Sequence, residues 1–311
     1  MTNQRIAITG AGAVCSIGIG TEEIAHALLD GRSGIGHPLL GLPYPDLHVG
    51  EVRLSNAGIR ERLGLGADGP RSRTALLALI AAREAVTGHG NESLAVVSAS
   101  TVGGMDLSED HYDEWRHGRF SEARVAMEHP VHAHTRAIAD ALGARAFSTT
   151  ISTACSSSAN AIALGARLLR QGRAERVLAG GADALCRFTI EGFQSLSAMD
   201  PGPCRPFAPD RKGMNLGEGA AYLMLERLDD AIREGREPLA ILGGWSNRND
   251  MHHATATSPD GRGPYLAMAL DGTGRRVDGV GSNMGHVIGT GLLTADEEAL
   301  VATRLADRVL A

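Results

Sequence analysis

Two strands with a helix between them can be read directly from residues 147 to 181. The run from Phe147 to Ser152 predicts a strand, and the Ala- and Leu-rich run from Ser156 to Gln171 predicts a helix. Between them lies a short turn that contains Cys155. A further strand, Arg176 to Ala179, leads into two glycines. This βαβ unit predicts an α/β architecture.

The rest of the chain continues the alternation of strands and helices. Residues 106 to 134 are polar and rich in histidine, and we interpret them as an excursion over the core. A domain boundary is expected near residue 237, just before Pro238. The other predicted elements are a strand at Ile6 to Thr9, a glycine loop from Gly10 to Gly20, a helix from Thr21 to near Gly31, a helix at Thr74 to Val86, strands at Leu94 to Ser98 and Ala220 to Leu225, a helix at Leu228 to Glu234 and a strand at Leu239 to Trp245.

Composition and charge exclude several classes of function. The chain of 311 residues has 30 Lys and Arg against 36 Asp and Glu, a net charge of −6, without a basic cluster. Nucleic acid is therefore not an expected partner. The sequence begins without a signal peptide and has no apolar run that could span a membrane, so we expect a cytoplasmic protein with no membrane partner.

No cofactor or metal is expected. The four cysteines show no CxxC pair and no His spacing typical of zinc, and we expect no disulfide among them. Gly10 and Gly12 follow a strand as in a dinucleotide-binding turn, but Cys15 stands where the third glycine of that motif belongs. The dinucleotide interpretation is therefore given little weight.

Cys155 is the candidate nucleophile because of where it lies between strand and helix. A helix start presents unpaired N–H groups and the positive end of the helix dipole, which stabilise a thiolate and can hold an oxyanion. For an arbitrary cysteine, a small buried apolar side chain is the ordinary interpretation. We keep that structural interpretation for Cys15, Cys186 and Cys204.

The segment around Cys155 resembles the nucleophile motif of β-ketoacyl-[acyl-carrier-protein] synthases of the elongating type. Further matches to this family follow in the same order along the chain: Ile8 to Gly12, Gly31 to Ile35, Thr101 to Gly104, Ala179 to Asp183, Pro203 to Phe207, Asp210 to Gly213 and Leu216 to Ala221. The resemblance implies a thiolase-like layered αβαβα fold built from two similar halves. Residues 1–237 would be the N-terminal half and residues 238–311 a partial C-terminal half.

The resemblance also implies the reaction. Cys155 would accept an acyl group from an acyl carrier protein, and two histidines would assist the decarboxylation of malonyl-carrier protein. The sequence supplies one candidate histidine, His286, which would polarise the malonyl thioester carbonyl. Gly289, Gly291 and Asp296 match the family's first histidine motif with His286 two residues early, whereas Met284 to Gly289 also resembles the later Gly-His segment. Both registers stay open.

Two functions follow as hypotheses. The first is an acyltransferase that builds fatty acid or polyketide-type chains, using acyl and malonyl thioesters as a homodimer or with a longer homologue. The second is a non-condensing partner subunit of a complete synthase, or a degenerate fragment. Because no lysine-containing Gly-His segment or glycine-rich Phe loop is recognised after residue 297, we expect the second half of the fold to be incomplete.

Overall fold

The computed structural model describes residues 5–66, 69, 71–90, 93–119 and 123–247, together with the short strands at 269–270 and 276–277. The strands are β1 (Ile6–Cys15), β2 (Gly18–Ile19), β3 (Ile35–Gly36), β4 (Val49–Gly50), β5 (Leu94–Ala99), β6 (Ser148–Ile151), β7 (Arg176–Asp183), β8 (Gly219–Arg227), β9 (Ala240–Leu242), β10 (Ala269–Leu270) and β11 (Arg276–Val277). The helices are α1 (Thr21–Leu29), α2 (Asn56–Leu63), α3 (Arg73–Ala85), α4 (Met105–Asp110), α5 (Tyr112–Arg116), α6 (Ala123–Glu128), α7 (Ala133–Leu142), α8 (Ser157–Arg170), α9 (Arg187–Ser195) and α10 (Leu228–Arg233).

Three parallel strands of the central sheet finish at the same end of the sheet. Its strands run in the order β2-β1-β8-β7-β5-β6. Strand β5 is parallel to both β6 and β7, so that it lies between the two strands of the predicted βαβ unit. Strand β8 is antiparallel to β7 and to β1. The carboxyl ends of β5, β6 and β7 therefore point in one direction, and Cys155 follows one of them.

Helix α3 forms the middle of the core and explains the first glycines of the chain. The helix is buried around most of its circumference and packs against β1, β8 and α7. A Cβ at Gly10 would lie 2.1 Å from the Ala85 carbonyl oxygen, and one at Gly12 would lie 2.0 Å from the Ala81 carbonyl oxygen. Only glycine lets the strand backbone come this close to the helix.

The predicted loop from Gly10 to Gly20 is therefore wrong over its first part. Strand β1 continues through these glycines to Cys15, and it pairs with β8 from Ile6 to Cys15 apart from an irregularity at Thr9. Glycine runs favour loops in isolation, but the ladder to β8 and the contact with α3 select the extended backbone. The glycines thus mark a close helix contact inside a strand.

The excursion from residue 106 to 134 supplies carboxylates to the amino ends of two helices. Glu128 accepts hydrogen bonds from the backbone N–H groups of Arg71 (2.8 Å) and Ser72 (2.9 Å), and Asp106 accepts one from Arg73 (2.7 Å). These are N–H groups at the start of α3, which Ser72 itself does not cap. The excursion is thereby tied to the core by charge-assisted caps.

The same segment reaches α9 through Glu109. This carboxylate accepts hydrogen bonds from the backbone N–H groups of Arg187 and Phe188, each at 2.8 Å. In the same segment, burial raises the pKa of Asp106 to about 7, even though the backbone N–H groups that donate to this carboxylate lower its pKa. The excursion thus stabilises the starts of α3 and α9.

A buried ionic cluster stabilises the end of the sheet opposite to Cys155. Glu226, at the end of β8, accepts hydrogen bonds from Arg176 Nε (3.0 Å), Arg236 Nε (2.9 Å) and Thr9 Oγ1 (2.7 Å). Its side chain is only 1% exposed, so these partners replace the water that a carboxylate otherwise needs. The cluster joins the first residues of β1 and β7 to the last residues of the antiparallel strand β8.

The chain divides into two compact units after Leu239, close to the boundary predicted near residue 237. In the second unit, β9 covers only Ala240–Leu242 of the predicted strand from Leu239 to Trp245, and β10 pairs with β11 in antiparallel fashion. The interpretation of the units as family halves stays a prediction. Among the described residues, no helix combines the length and apolar character that a membrane span requires.

Candidate active site

Cys155 lies where the sequence places it, between a strand and a helix. Strand β6 ends at Ile151, α8 begins at Ser157, and the thiol is in the intervening turn. Of the four free cysteines, Cys155 is the one that is exposed. The local order follows from the sequence, because a short run of β-branched residues meets a long Ala- and Leu-rich run at a cluster of serines.

The turn before the thiol has an unusual backbone. Ala154 adopts φ +52°, in the left-handed region that residues with a Cβ seldom occupy. Ser157 stabilises this conformation from below, because its Oγ accepts a hydrogen bond from Thr153 N (2.7 Å) and donates one to the Ala154 carbonyl (2.6 Å). Ser157 is 4% exposed, whereas Thr153 and Ala154 are exposed, so the buried hydroxyl holds a surface turn from the inside. The strained turn is thus fixed by one buried hydroxyl.

A second set of hydrogen bonds closes the turn on its outer side. Ser156 Oγ donates to the Thr153 carbonyl at 2.9 Å, and Asn160 Nδ2 donates to Thr153 Oγ1 at 2.8 Å. Ser156, Ser157 and Asn160 are not among the site residues predicted from the sequence. The signal available for them was a run of three serines at a strand-to-helix junction, with Asn160 one helical turn later.

The start of α8 remains open toward the thiol. Ser156 is the N-cap residue, yet no side chain caps the helix, because the Ser156 hydroxyl bonds to Thr153 instead. A helix of 14 residues has the partial positive charge of its N–H groups at this end. Backbone N–H groups at a helix start can stabilise an oxyanion formed next to them.

Two glycines of the predicted Ala179 to Asp183 motif allow close contacts of β7, Gly181 with the first turn of α8 and Gly180 with β8. A Cβ at Gly181 would lie 2.3 Å from Ser158 Oγ and 2.8 Å from the Ala99 carbonyl oxygen. A Cβ at Gly180 would lie 2.1 Å from the Ala221 carbonyl oxygen on β8. The first turn of α8 can therefore rest directly on the ends of β5 and β7.

The other cysteines have structural surroundings. Cys186 is buried, and burial raises the pKa of its thiol despite its contact with Thr189 Oγ1 at 3.2 Å. Cys15 and Cys204 are half-buried, the first in β1 and the second in a loop. The N–H of Cys204 donates to Asn215 Oδ1 at 2.7 Å.

His286, the second predicted site residue, lies outside the described residues. The glycine-rich stretch before β8 is bonded to α3 and to the loop at Gly202: Arg73 Nε donates to Glu218 Oε2 at 2.8 Å, and Asn215 also donates to the Gly202 carbonyl at 2.9 Å. Within the part of the chain that the structure describes, no group of three or more His, Cys, Asp or Glu is arranged to hold a metal ion.

The structure thus places an exposed cysteine at the start of a helix, beside the carboxyl ends of parallel strands in an α/β sheet. This is the position that the sequence predicts for a thiol nucleophile. Residues 70–231 match the family described as "Beta-ketoacyl synthase, N-terminal domain". The chain belongs to the β-ketoacyl synthase family. The predicted family is thereby confirmed.

Two curated relatives and one solved structure illustrate the similarity. The chain is 32% identical to Nodulation protein E of Rhizobium meliloti over 97% of its own length and 77% of that protein's. It is 32% identical to 3-oxoacyl-[acyl-carrier-protein] synthase 2 of Staphylococcus aureus, over 88% of this chain and 70% of the relative. The solved ishigamide ketosynthase/chain length factor matches with a TM-score of 0.73 and 28% identity, over 81% of this chain and 66% of the solved chain. The predicted thiolase-like α/β fold is confirmed.

Proposed function

We propose that this chain is a 3-oxoacyl-[acyl-carrier-protein] synthase that carries its acyl intermediate on Cys155. The observation that carries the proposal is the exposed thiol on a strained turn at the uncapped start of α8. A turn with Ala154 at φ +52° is retained only where the surrounding contacts enforce it, and this chain enforces it with the buried Ser157. The similarity to a relative named for this activity supports the same function.

The first half-reaction uses the described residues. The Cys155 thiolate attacks the thioester carbonyl carbon, and the resulting oxyanion is stabilised by backbone N–H groups at the start of α8. When the intermediate collapses, the bond from carbon to the carrier sulfur breaks. The carrier thiolate leaves and takes up a proton, and the acyl group remains on Cys155.

The second half-reaction forms the carbon–carbon bond. Malonyl-carrier protein loses CO₂, and the electron pair of the broken bond becomes an enolate that attacks the acyl carbonyl carbon on Cys155. The Cys155 thiolate is then the leaving group, so that the enzyme is regenerated without an oxidant or reductant. His286 would donate a hydrogen bond to the malonyl thioester oxygen and stabilise the enolate. In this proposal residues 1–237 form the N-terminal half and residues 238–311 part of the C-terminal half.

A second subunit is the other proposed partner, beside the acyl carrier protein. Within the described part of the sheet, β6 pairs with β5 alone and ends the order of strands. Val96 N donates to the Phe147 carbonyl and Ser100 N to the Ile151 carbonyl, so Ser148 and Thr150 direct their backbone groups away from β5. A strand from another subunit would pair with this open edge and shield it from aggregation. A cytoplasmic location remains a prediction of the sequence.

The solved relative named as a ketosynthase/chain length factor favours a second candidate, a subunit that pairs with a complete synthase. Such a subunit needs the edge of β6 but needs no reactive thiol. The two candidates therefore differ in whether Cys155 accepts an acyl group. They agree in expecting a dimer, either of two copies or with a longer homologue.

The test is intact-protein mass spectrometry after incubation with an acyl-carrier-protein thioester, followed by malonyl-carrier protein. Cys155→Ala should abolish the mass increase, and Cys204→Ala, a change at a half-buried loop cysteine, should leave it intact. Acylation followed by formation of a 3-oxoacyl product would support the synthase. A folded wild-type chain that takes up no acyl group would overturn the synthase proposal and favour the partner subunit.

A further inference from the structure

Asp183, the last residue of β7, accepts four hydrogen bonds from one short segment of chain. Its Oδ1 accepts from Ser100 Oγ at 2.7 Å, from Thr101 N at 2.7 Å and from Val102 N at 3.1 Å. Its Oδ2 accepts from Thr101 Oγ1 at 3.0 Å. Every donor that the described residues supply to this carboxylate is neutral. The two acceptor oxygens of Asp183 therefore fix a loop, since a carboxylate can take several donors at once.

The segment that Asp183 holds is a tight turn after β5. Ser100 Oγ, while donating to Asp183, accepts a hydrogen bond from Gly103 N at 2.9 Å. Gly103 has φ +56°, so the chain turns sharply at this point before α4 begins. Without the carboxylate, the backbone N–H groups of Thr101 and Val102 would lose their acceptor, and the half-buried Val102 N–H has little access to water.

The same segment is bonded to the strand that leads to the nucleophile. Ser100 N donates to the carbonyl of Ile151, the last residue of β6, at 3.3 Å. Cys155 follows only four residues after Ile151. On the other side, Ala99 lies against Gly181, which also lies against Ser158 in the first turn of α8, and β5 and α8 are in contact. The end of β5 thus contacts both elements that position Cys155, and Asp183 determines where the chain runs directly after it.

We propose that Asp183 is a positioning residue for Cys155, which holds the end of β5 so that the turn between β6 and α8 presents its backbone N–H groups to the thioester oxygen. This inference rests on the proposed acyl transfer to Cys155. Asp183 itself touches no reacting atom in it. Its effect reaches the thiol through Ser100 and Ile151, along the hydrogen bonds described above.

Two reactions of the Cys155 thiol should respond differently to the loss of Asp183. Alkylation by iodoacetamide requires only an accessible thiolate, whereas acyl transfer also requires the aligned N–H groups that stabilise the oxyanion. Asp183→Ala should therefore lower the rate of acyl transfer on the order of 10- to 100-fold, the effect of misaligning a reacting group. The alkylation rate, measured against pH, should stay within about threefold of wild type with an unchanged midpoint.

Asp183→Asn serves as the conservative variant. Its Oδ1 can keep the bonds from Ser100 Oγ, Thr101 N and Val102 N, and its amide can donate to Thr101 Oγ1. It should restore most of the acyl-transfer rate. Asp229→Ala, which removes an exposed carboxylate from α10, is the matched control and should behave like wild type.

Each outcome decides the matter. Equal acyl-transfer rates for Asp183→Ala and wild type would overturn this inference alone, and so would a parallel loss of alkylation and acyl transfer. A wild-type protein that is alkylated but never acylated would overturn the proposed function and this inference with it. If thermal melting shows that Asp183→Ala does not fold, Ser100→Ala takes its place, because it removes the donor to Oδ1 and the acceptor of Gly103 N while leaving the carboxylate.

Discussion

Ser157→Ala should separate the geometry of the Cys155 turn from the stability of the whole fold. The change removes one hydroxyl that is 4% exposed. The Thr153 N–H then loses its acceptor, and the Ala154 carbonyl loses its 2.6 Å bond. Nothing in the volume of the side chain prevents alanine from fitting. The effect should therefore come from the lost hydrogen bonds alone.

The magnitude follows from two contributions. The loss of a hydrogen bond whose partners, Thr153 and Ala154, are exposed costs about 0.5–1.5 kcal/mol. A residue held at an unfavourable φ, as Ala154 is at +52°, stores about 1–3 kcal/mol that is released once the turn opens. The two act in opposite directions on global stability, so the free energy of unfolding should fall by only about 1 kcal/mol. The lost hydrogen bonds and the released strain at Ala154 both favour opening of the turn. A difference of 1.4 kcal/mol changes the ratio of closed to open turns tenfold.

The assay is the rate of acyl transfer to Cys155, followed by intact mass, beside urea denaturation of the same samples. We expect a rate at least about tenfold below wild type with a small loss of stability. Ser195→Ala is the control, because Ser195 is exposed and its hydroxyl bonds only to the Gly192 carbonyl in its own helix. A Ser157→Ala protein that is acylated at the wild-type rate would refute the claim that this hydroxyl fixes the turn.

Three further predictions concern the core and the subunit edge. Burial lowers the pKa of His134 from 6.5 to about 4, so the unfolded state takes up its proton first as the pH falls from 6.5 and stability drops by about 1.4 kcal/mol per pH unit. His134→Gln should remove that part of the slope in denaturation measured from pH 7 to 4, and an unchanged slope would contradict it. Gly12→Ala should destabilise by at least about 2 kcal/mol because its Cβ would meet the Ala81 carbonyl at 2.0 Å, whereas Gly192→Ala, with open space around it, should be neutral in thermal melting. Ser148→Pro should weaken the dimer in light scattering without loss of folded monomer, and an unchanged dimer would exclude pairing through β6.

Much of the nucleophile site could be predicted from the sequence. The strand before Cys155 and the helix after it are local features, since residue spacing shows them within about ten positions. Cys155 is exposed and Cys186 is buried, and the roles of the two thiols stay predictions. The turn geometry was not predictable, because alanine rarely adopts a positive φ and nothing in its identity announces one.

The sequence by itself determined the periodic elements, the position of the thiol between two of them, and the family. Only the tertiary structure decided that Gly10 and Gly12 lie inside a strand, that Asp106 and Glu109 cap helices in other parts of the chain, and that Asp183 holds the end of β5. The physical reason is range. Periodicity reflects neighbours a few residues apart, whereas a buried carboxylate or a glycine contact is defined by a partner that folding brings from 33 to 83 residues away.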